Sequence, residues 1–366
     1  MVRSFVAIGI VVAGVCAARP LTAQAMLSDS GARMERVAEG VYAIIHDDAT
    51  EDWPHSNVGV IIGTGGVLVI DSDYYPSRAR ADIALIRRVT DRPVRYLVNT
   101  HWHGDHTHGN GAYRDAFPGL AIVSQRENRE TIELNQLKWP RSATAPGSAT
   151  RKVFERLQAT LASGKDSAGV PLSDEARRAL TWNIDQRRME LEELATVPVA
   201  PPNVLFDGDL AIDLGGRMVE LHNWGRANSP ADVTVYLPAE RVLFTGDILV
   251  HPLPYVGGSF PGPWIHVLQQ VEAIPVAVVV PGHGLVQHDH AYMRRVRELL
   301  QATRTRIDTL FRQGKTLAEV QTLVSLDDLR AGFPDATGQP FPPEVWTQVS
   351  TTLVERMSQC VNGYRC

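Results

Sequence analysis

Asn99-Thr100-His101-Trp102-His103-Gly104-Asp105-His106-Thr107-His108-Gly109-Asn110 packs four metal-capable side chains, His101, His103, Asp105 and His106, into six residues. The run before it, Pro93-Val94-Arg95-Tyr96-Leu97-Val98-Asn99, is short, β-branched and aromatic, which predicts a strand. The cluster therefore falls where a strand ends. His101 and His103 are two residues apart and face the same way in extended chain. Gly104 lets the chain turn, so Asp105 and His106 address a second point. This is one pair of ligands for each of two metal ions a few Å apart, as in two-metal hydrolysis. A lone histidine on a loop is usually solvated, but a cluster of this density marks a metal or catalytic site.

Two later strand ends repeat the pattern. Arg241-Val242-Leu243-Phe244-Thr245-Gly246-Asp247 runs into an aspartate just after a glycine, and the apolar Val276 to Val280 ends in Pro281-Gly282-His283-Gly284. Gly246 allows close backbone approach there. Apolar strands that end in metal-capable residues between glycines are hard to explain by packing alone.

The motif H-x-H-x-D-H after a strand resembles the signature of the metallo-β-lactamase-fold superfamily of hydrolases. The resemblance covers roughly Val37 to Gln287 and implies an α/β (α+β) chain folded as a four-layer αββα sandwich. It implies that Asp247 bridges both metals and that His283 completes the second site with Asp105 and His106. It gives Asp71, at the end of Gly66-Val67-Leu68-Val69-Ile70-Asp71, a supporting role: bonding the His loop without touching metal. The family's remaining histidine should lie in Gly225-Arg226-Ala227-Asn228-Ser229-Pro230-Ala231-Asp232, but Asn228 stands at its position. An amide oxygen is a weaker zinc ligand than imidazole, so the first site, His101, His103 and Asp247, is expected to be weakened. His222, six residues upstream, is a candidate substitute, although strand geometry points it elsewhere. Zn2+, one or two ions, is the implied cofactor.

Outward from the motif, Arg33 to Ala38 and Gly40 to Ile45 read as paired strands, as do Ser56 to Ile62 and Gly66 to Asp71. Ser77 is expected to cap a helix over Arg78 to Asp91. Residues 126–195 read as a helical insertion: Arg126 to Trp139 stopped by Pro140, then Arg151 to Ala162 and Asp174 to Ala195. Lys138 and Trp139 are placed to contact substrate if this insertion roofs the cleft. Strands resume from Asn203 to Asp247. The segment 289–366 reads as a mostly helical C-terminal extension outside the core of about 37–287. Two β-rich halves, each followed by helices, suggest two sheets face to face with helices outside.

The chain has 366 residues and a formal charge of −5, with no basic run, so a nucleic-acid partner is not expected. Arg3, the apolar run Phe5 to Ala18 and Ala23-Gln24-Ala25 read as a signal peptide over residues 1–25. The mature chain would start at Met26, periplasmic or secreted, without a stable membrane anchor, because the apolar run is short for a span. Cys360 and Cys366 remain after cleavage and could close a small loop in an oxidising compartment.

Zinc with an open position brings the pKa of bound water to about 7, and the hydroxide then attacks an electrophilic carbonyl. Asp105 is the expected catalytic residue, orienting the water and passing its proton on. His108, Asn110, His251 and Tyr255 are candidate contacts for a small-molecule substrate. Cyclic amide or ester hydrolysis, β-lactamase-like, is the nearest reading. Lactones, thioesters, phosphodiesters and sulfates are cleaved on the same fold, which does not decide among them. The reading of another class is a metal-binding protein whose turnover was lost through Asn228.

Overall fold

Val58–Gly63 and Gly66–Ile70 are apolar along nearly their whole length, and ten of their eleven residues are buried. A sheet built from such strands must be covered on both faces. The computed structural model, which describes residues 26–27, 31–46, 55–335 and 337–363, shows how. The expected signal peptide, 1–25, lies outside the described residues.

The first half contains β1 (Met26–Leu27), β2 (Arg33–Ala38), β3 (Val41–Ile45), β4 (Val58–Gly63) and β5 (Gly66–Ile70). These are followed by α1 (Pro76–Val89), β6 (Val94–Val98), α2 (Gly104–Thr107), α3 (Asn110–Ala116) and β7 (Ala121–Gln125). Three helices come next, α4 (Arg126–Thr144), α5 (Ala149–Ser163) and α6 (Asp174–Leu194), and then β8 (Val204–Phe206). Strands β1 to β8 form one sheet in sequence order, antiparallel as far as β5 and parallel from there on.

The second half has β9 (Asp209–Asp213), β10 (Met218–Asn223), β11 (Val233–Leu237), β12 (Val242–Phe244), α7 (Pro261–Glu272) and β13 (Val278–Val280). Its five strands form a second sheet, ordered β13-β12-β11-β10-β9. Helices α8 (Ala291–Arg312), α9 (Leu317–Leu323) and α10 (Pro343–Val361) end the chain.

Three apolar clusters make four layers of this. Val41, Ile61 and Leu68 of the first sheet meet Val219, Val233 and Val235 of the second. The outer face of the first sheet packs on α1 and α3 through Ile83, Ile86 and Tyr113. The outer face of the second packs on α7, α8 and α10, where Trp264 and Trp346 are buried beside Leu243 and Val279. This is the αββα sandwich expected from the resemblance.

Local details differ from expectation. Ser77 does not cap α1: Pro76 occupies the first turn, where a missing N–H costs nothing, and the cap residue is Tyr75. Ser77 instead donates its backbone N–H to Glu193 of α6. Pro140 does not stop α4, which runs on to Thr144; tertiary packing outweighs the one lost backbone bond, and Pro140 is itself buried. Helices α8 to α10, the expected C-terminal extension, pack into one apolar cluster with β12 and β13. Among the described residues no helix is long and apolar enough to cross a membrane.

Candidate metal centre

The chain tips after β6, β12 and β13 meet at one edge of the sandwich. Gly104 opens the one-turn helix α2 that carries Asp105 and His106. Asp247 sits in a 3-10 turn, Gly246–Ile248, that follows β12. Gly246 has φ +50, and a Cβ there would lie 2.7 Å from the Thr100 side chain. A Cβ on Gly282 would overlap the Asp247 carboxylate. Both glycines are therefore needed for Asp247 to approach the His loop.

The second site is a closed set of four donors. His283 Nε2 lies 3.1 Å from Asp105 Oδ2 and 3.3 Å from Asp247 Oδ1. His106 Nε2 lies 3.3 Å from the same two oxygens. These edges match a tetrahedron whose ligands stand about 2.0 Å from a central cation. His106 Nε2 and Asp247 Oδ1 are buried without a hydrogen-bond partner, which a cation would satisfy. Asp247 turns its other oxygen, Oδ2, to the first site, 3.6 Å from His101 Nε2 and 4.0 Å from His103 Nδ1. Those two ring nitrogens are 2.8 Å apart. The residues present thus fit a metal at either site.

Tautomers are fixed from behind. Asp71, at φ 60, accepts from His106 Nδ1 (2.7 Å), Thr100 N (2.8 Å) and Thr100 Oγ1 (2.7 Å). With its hydroxyl proton given to Asp71, Thr100 Oγ1 accepts from His101 Nδ1 (3.1 Å). His283 Nδ1 donates to the His55 carbonyl (3.1 Å). In each case Nε2 is left to face the centre.

Electrostatics follow from this crowding. Burial pulls His106 and His283 down, but Asp247 and Asp105 prevail, raising His106 well above its ordinary value and His283 to about 10. Burial, helped by neighbouring His106, holds His101 well below its ordinary value. Burial pushes Asp247 and Asp105 up, but the imidazoles prevail and hold both carboxylates well below theirs. Two anionic carboxylates among histidines are what a divalent cation would neutralise.

Asn228 is buried in the loop between β10 and β11. Asp232 braces that loop, accepting from Ser229 N (2.8 Å) and Ala227 N (3.2 Å). The Asn228 Nδ2 donates to Tyr255 O (3.0 Å), which leaves Oδ1 buried without a partner. His222 is held elsewhere, 3.1 Å from Asp209 and 3.2 Å from Glu220, with its ring against Trp224.

Of the expected substrate contacts, Tyr255 is half exposed with its ring 6.0 Å from that of His103. The other three are turned away. His108 is buried, stacked on Tyr74, and bonded to Asn135; burial lowers its pKa to about 4, so it stays neutral. Asn110 is buried and spent on Ser72, Asn99 and Ala200. The ring of His251 packs on Tyr292, while its backbone N donates to His283 O (3.1 Å). Trp139 is 41 % exposed and donates to Tyr74 Oη (3.2 Å); no contact of Lys138 with the site appears.

The residues that sequence reasoning missed are consecutive. His55, Ser56 and Asn57 brace both ligand loops: Ser56 Oγ donates to Asp105 O (2.7 Å), and Asn57 Nδ2 donates to Pro281 O (2.9 Å) and Gly284 O (2.8 Å). The one signal for them was three polar residues preceding an apolar strand.

A family model for the metallo-beta-lactamase superfamily matches residues 52–283, more than half of the chain. The chain belongs to the metallo-beta-lactamase superfamily. It is therefore a hydrolase by family. It is 28% identical over 283 residues to a linear primary-alkylsulfatase of Pseudomonas sp. (strain ATCC 19151), covering 73% of this chain and 49% of that protein. Among solved structures, a stereoselective inverting sec-alkylsulfatase from Pseudomonas sp. superposes with a TM-score of 0.60 at 17% identity, over 91% of this chain and 50% of that one. A metallo-beta-lactamase from Pontibacter korlensis gives 0.51 at 17% identity, over 74% and 99%. These structures share the superfamily fold. The chain spans about half the length of the alkylsulfatases it matches.

Proposed function

We propose that this chain hydrolyses sulfate esters of apolar alcohols, using zinc held most tightly at Asp105, His106, Asp247 and His283. The observation that carries the reading is the convergence of these four donors, from three separate loops, on one tetrahedral set. The sulfate preference, over the β-lactam or carboxylic ester expected from sequence, is supported by similarity to an alkylsulfatase. Exposed apolar side chains near the ligand loops, Tyr255 and Leu285, suit an alkyl tail.

When bound, zinc supplies an acidified water and a positive charge beside the ester. His101, His103 and Asp247 would hold a second, weaker ion. Asp105 and His103 have side chains 21 % and 19 % exposed, whereas His101, His106, Asp247 and His283 are at most 3 % exposed. Water and ester therefore arrive on the side of Asp105 and His103. Asp105 takes a proton from the attacking water and passes it to the leaving alcohol oxygen as the ester bond breaks. Ester and water become alcohol and hydrogen sulfate. Export through the leader 1–25 belongs to the same reading and is supported by disulfide-bonded Cys360.

Zinc-loaded protein is offered primary alkyl sulfates of increasing chain length, a chromogenic β-lactam and an aryl ester. Sulfate release that rises with chain length is expected. Turnover of the β-lactam or ester without sulfate release overturns the substrate assignment. Tight zinc binding with no turnover on the whole panel favours the metal-binding protein.

A further inference from the structure

Behind the second site lies a second group of buried ionisable side chains. His46, just past β3, Asp73, just past β5, and Asp82, on α1, are all fully buried. His46 Nε2 donates to Asp82 Oδ2 (3.2 Å), and His46 Nδ1 lies 3.1 Å from Asp73 Oδ2, an ion-pair distance outside hydrogen-bond geometry. Asp73 Oδ1 accepts from His55 Nδ1 at 2.6 Å. The donor atoms stand close enough together for a cation. However, each nitrogen of the one ring faces a different carboxylate, so the arrangement suits a proton on each nitrogen better than a metal. Burial opposes that charge, but Asp73 and Asp82 outweigh it and raise His46 to about 9.

This cluster is wired to the metal centre through backbone. Asp71, Ser72 and Asp73 are consecutive, and both aspartates hold positive φ, 60 and 68. Asp71 takes His106 Nδ1 directly. Ser72 N and Oγ both donate to His106 O. Asp73 fixes His55, whose carbonyl takes His283 Nδ1, and the next two residues brace Asp105 and the Pro281–Gly284 turn. One three-residue turn thus aims both imidazoles of the second site.

We propose that Asp73 and His46 are positioning residues for the second metal site, anchoring the His55–Asn57 segment so that His283 presents Nε2 to the cation. The proposal rests on the metal-centre reading above. Outer-shell partners of metal ligands typically contribute about 10- to 100-fold in affinity. Asp73→Asn preserves the left-handed turn, which asparagine tolerates, and removes the charge. His46→Gln keeps a polar side chain and removes the imidazolium. Ile83→Ala, a core change on α1, serves as the stability control.

Zinc affinity of the tighter site is measured by competition with a chelator, with melting temperature recorded for each variant. Cobalt-loaded protein is examined by NMR for the paramagnetically shifted Nδ1 proton of His283. The expected result is about a 10- to 100-fold loss for Asp73→Asn and His46→Gln, with faster solvent exchange of that proton. Ile83→Ala should lower the melting temperature and leave affinity and exchange unchanged. If both variants bind zinc as the wild type does, or if Ile83→Ala loses as much affinity as they do, the anchor is overturned while the metal centre stands. A wild-type protein without zinc affinity overturns both.

Discussion

Asn228 is the residue whose chemistry departs most from its surroundings. Its oxygen is a buried acceptor without a donor, at the position where the family's pattern carries a histidine. Replacing the amide by imidazole exchanges a poor zinc donor for a good one. Asn228→His should therefore tighten binding of the weaker zinc by at least about tenfold, one ligand's share of affinity. Calorimetric titration would read this as two steps moving closer together; an unchanged second step would mean that residue 228 does not face the metal. Asp71 makes the opposite case. It orients His106 directly and His101 through Thr100, so it serves both sites. Asp71→Asn keeps the turn at φ 60 but gives up one accepting oxygen. Zinc affinity at both sites should fall about 10- to 100-fold in the same titration. A loss confined to one site would show that the Thr100 link does not transmit.

Among the elements, α4 ties together loops on either side of it in sequence. Gln136 is buried and bridges two loops, donating to Thr107 O (2.8 Å) and accepting from Ala200 N (2.9 Å). Gln136→Ala leaves both backbone groups buried and unpaired, at about 1–3 kcal/mol each. Urea unfolding should show a loss of that order, and a midpoint equal to wild type would mean that water replaces the side chain. None of this was legible in the sequence, where Gln136 is one polar residue in an amphipathic helix. What was legible lay where chemistry and periodicity coincide: apolar strands ending in His101, His103, Asp105, His106, Asp247 and His283. The role of Asp71 was legible only through the family's pattern. Asn57, Ser56 and His55 were not legible, because each acts through a backbone carbonyl, its partner's for Asn57 and Ser56 and its own for His55, in part more than two hundred residues from the partner, and a carbonyl has no residue type to read. His108 and Asn110 look like site residues because they adjoin the motif. Adjacency in sequence does not set direction once α2 and α3 turn the chain inward.

At the scale of the whole molecule, buried charge couples stability to pH. The four-layer plan brings β3, β5 and α1 together around His46, which no local pattern foretells because each partner comes from a different element. In the unfolded chain His46 would titrate near its ordinary 6.5, whereas in the fold it titrates at about 9. A raised folded pKa stabilises the fold fully below pH 6.5, and that contribution is lost as pH climbs through 9. Its size is on the order of 3 kcal/mol. The metal-free protein holds two more groups of this kind, His106, raised well above its ordinary value, and His283, raised to about 10, so the wild-type profile alone would mix the three. Subtracting the profile of His46→Gln, both proteins being stripped with chelator, removes the His106 and His283 parts. The difference in unfolding free energy from urea melts should shrink by about that amount between pH 6 and pH 9.5. A difference that stays constant would mean that His46 is neutral in the fold and that Asp73 and Asp82 share a proton between them instead.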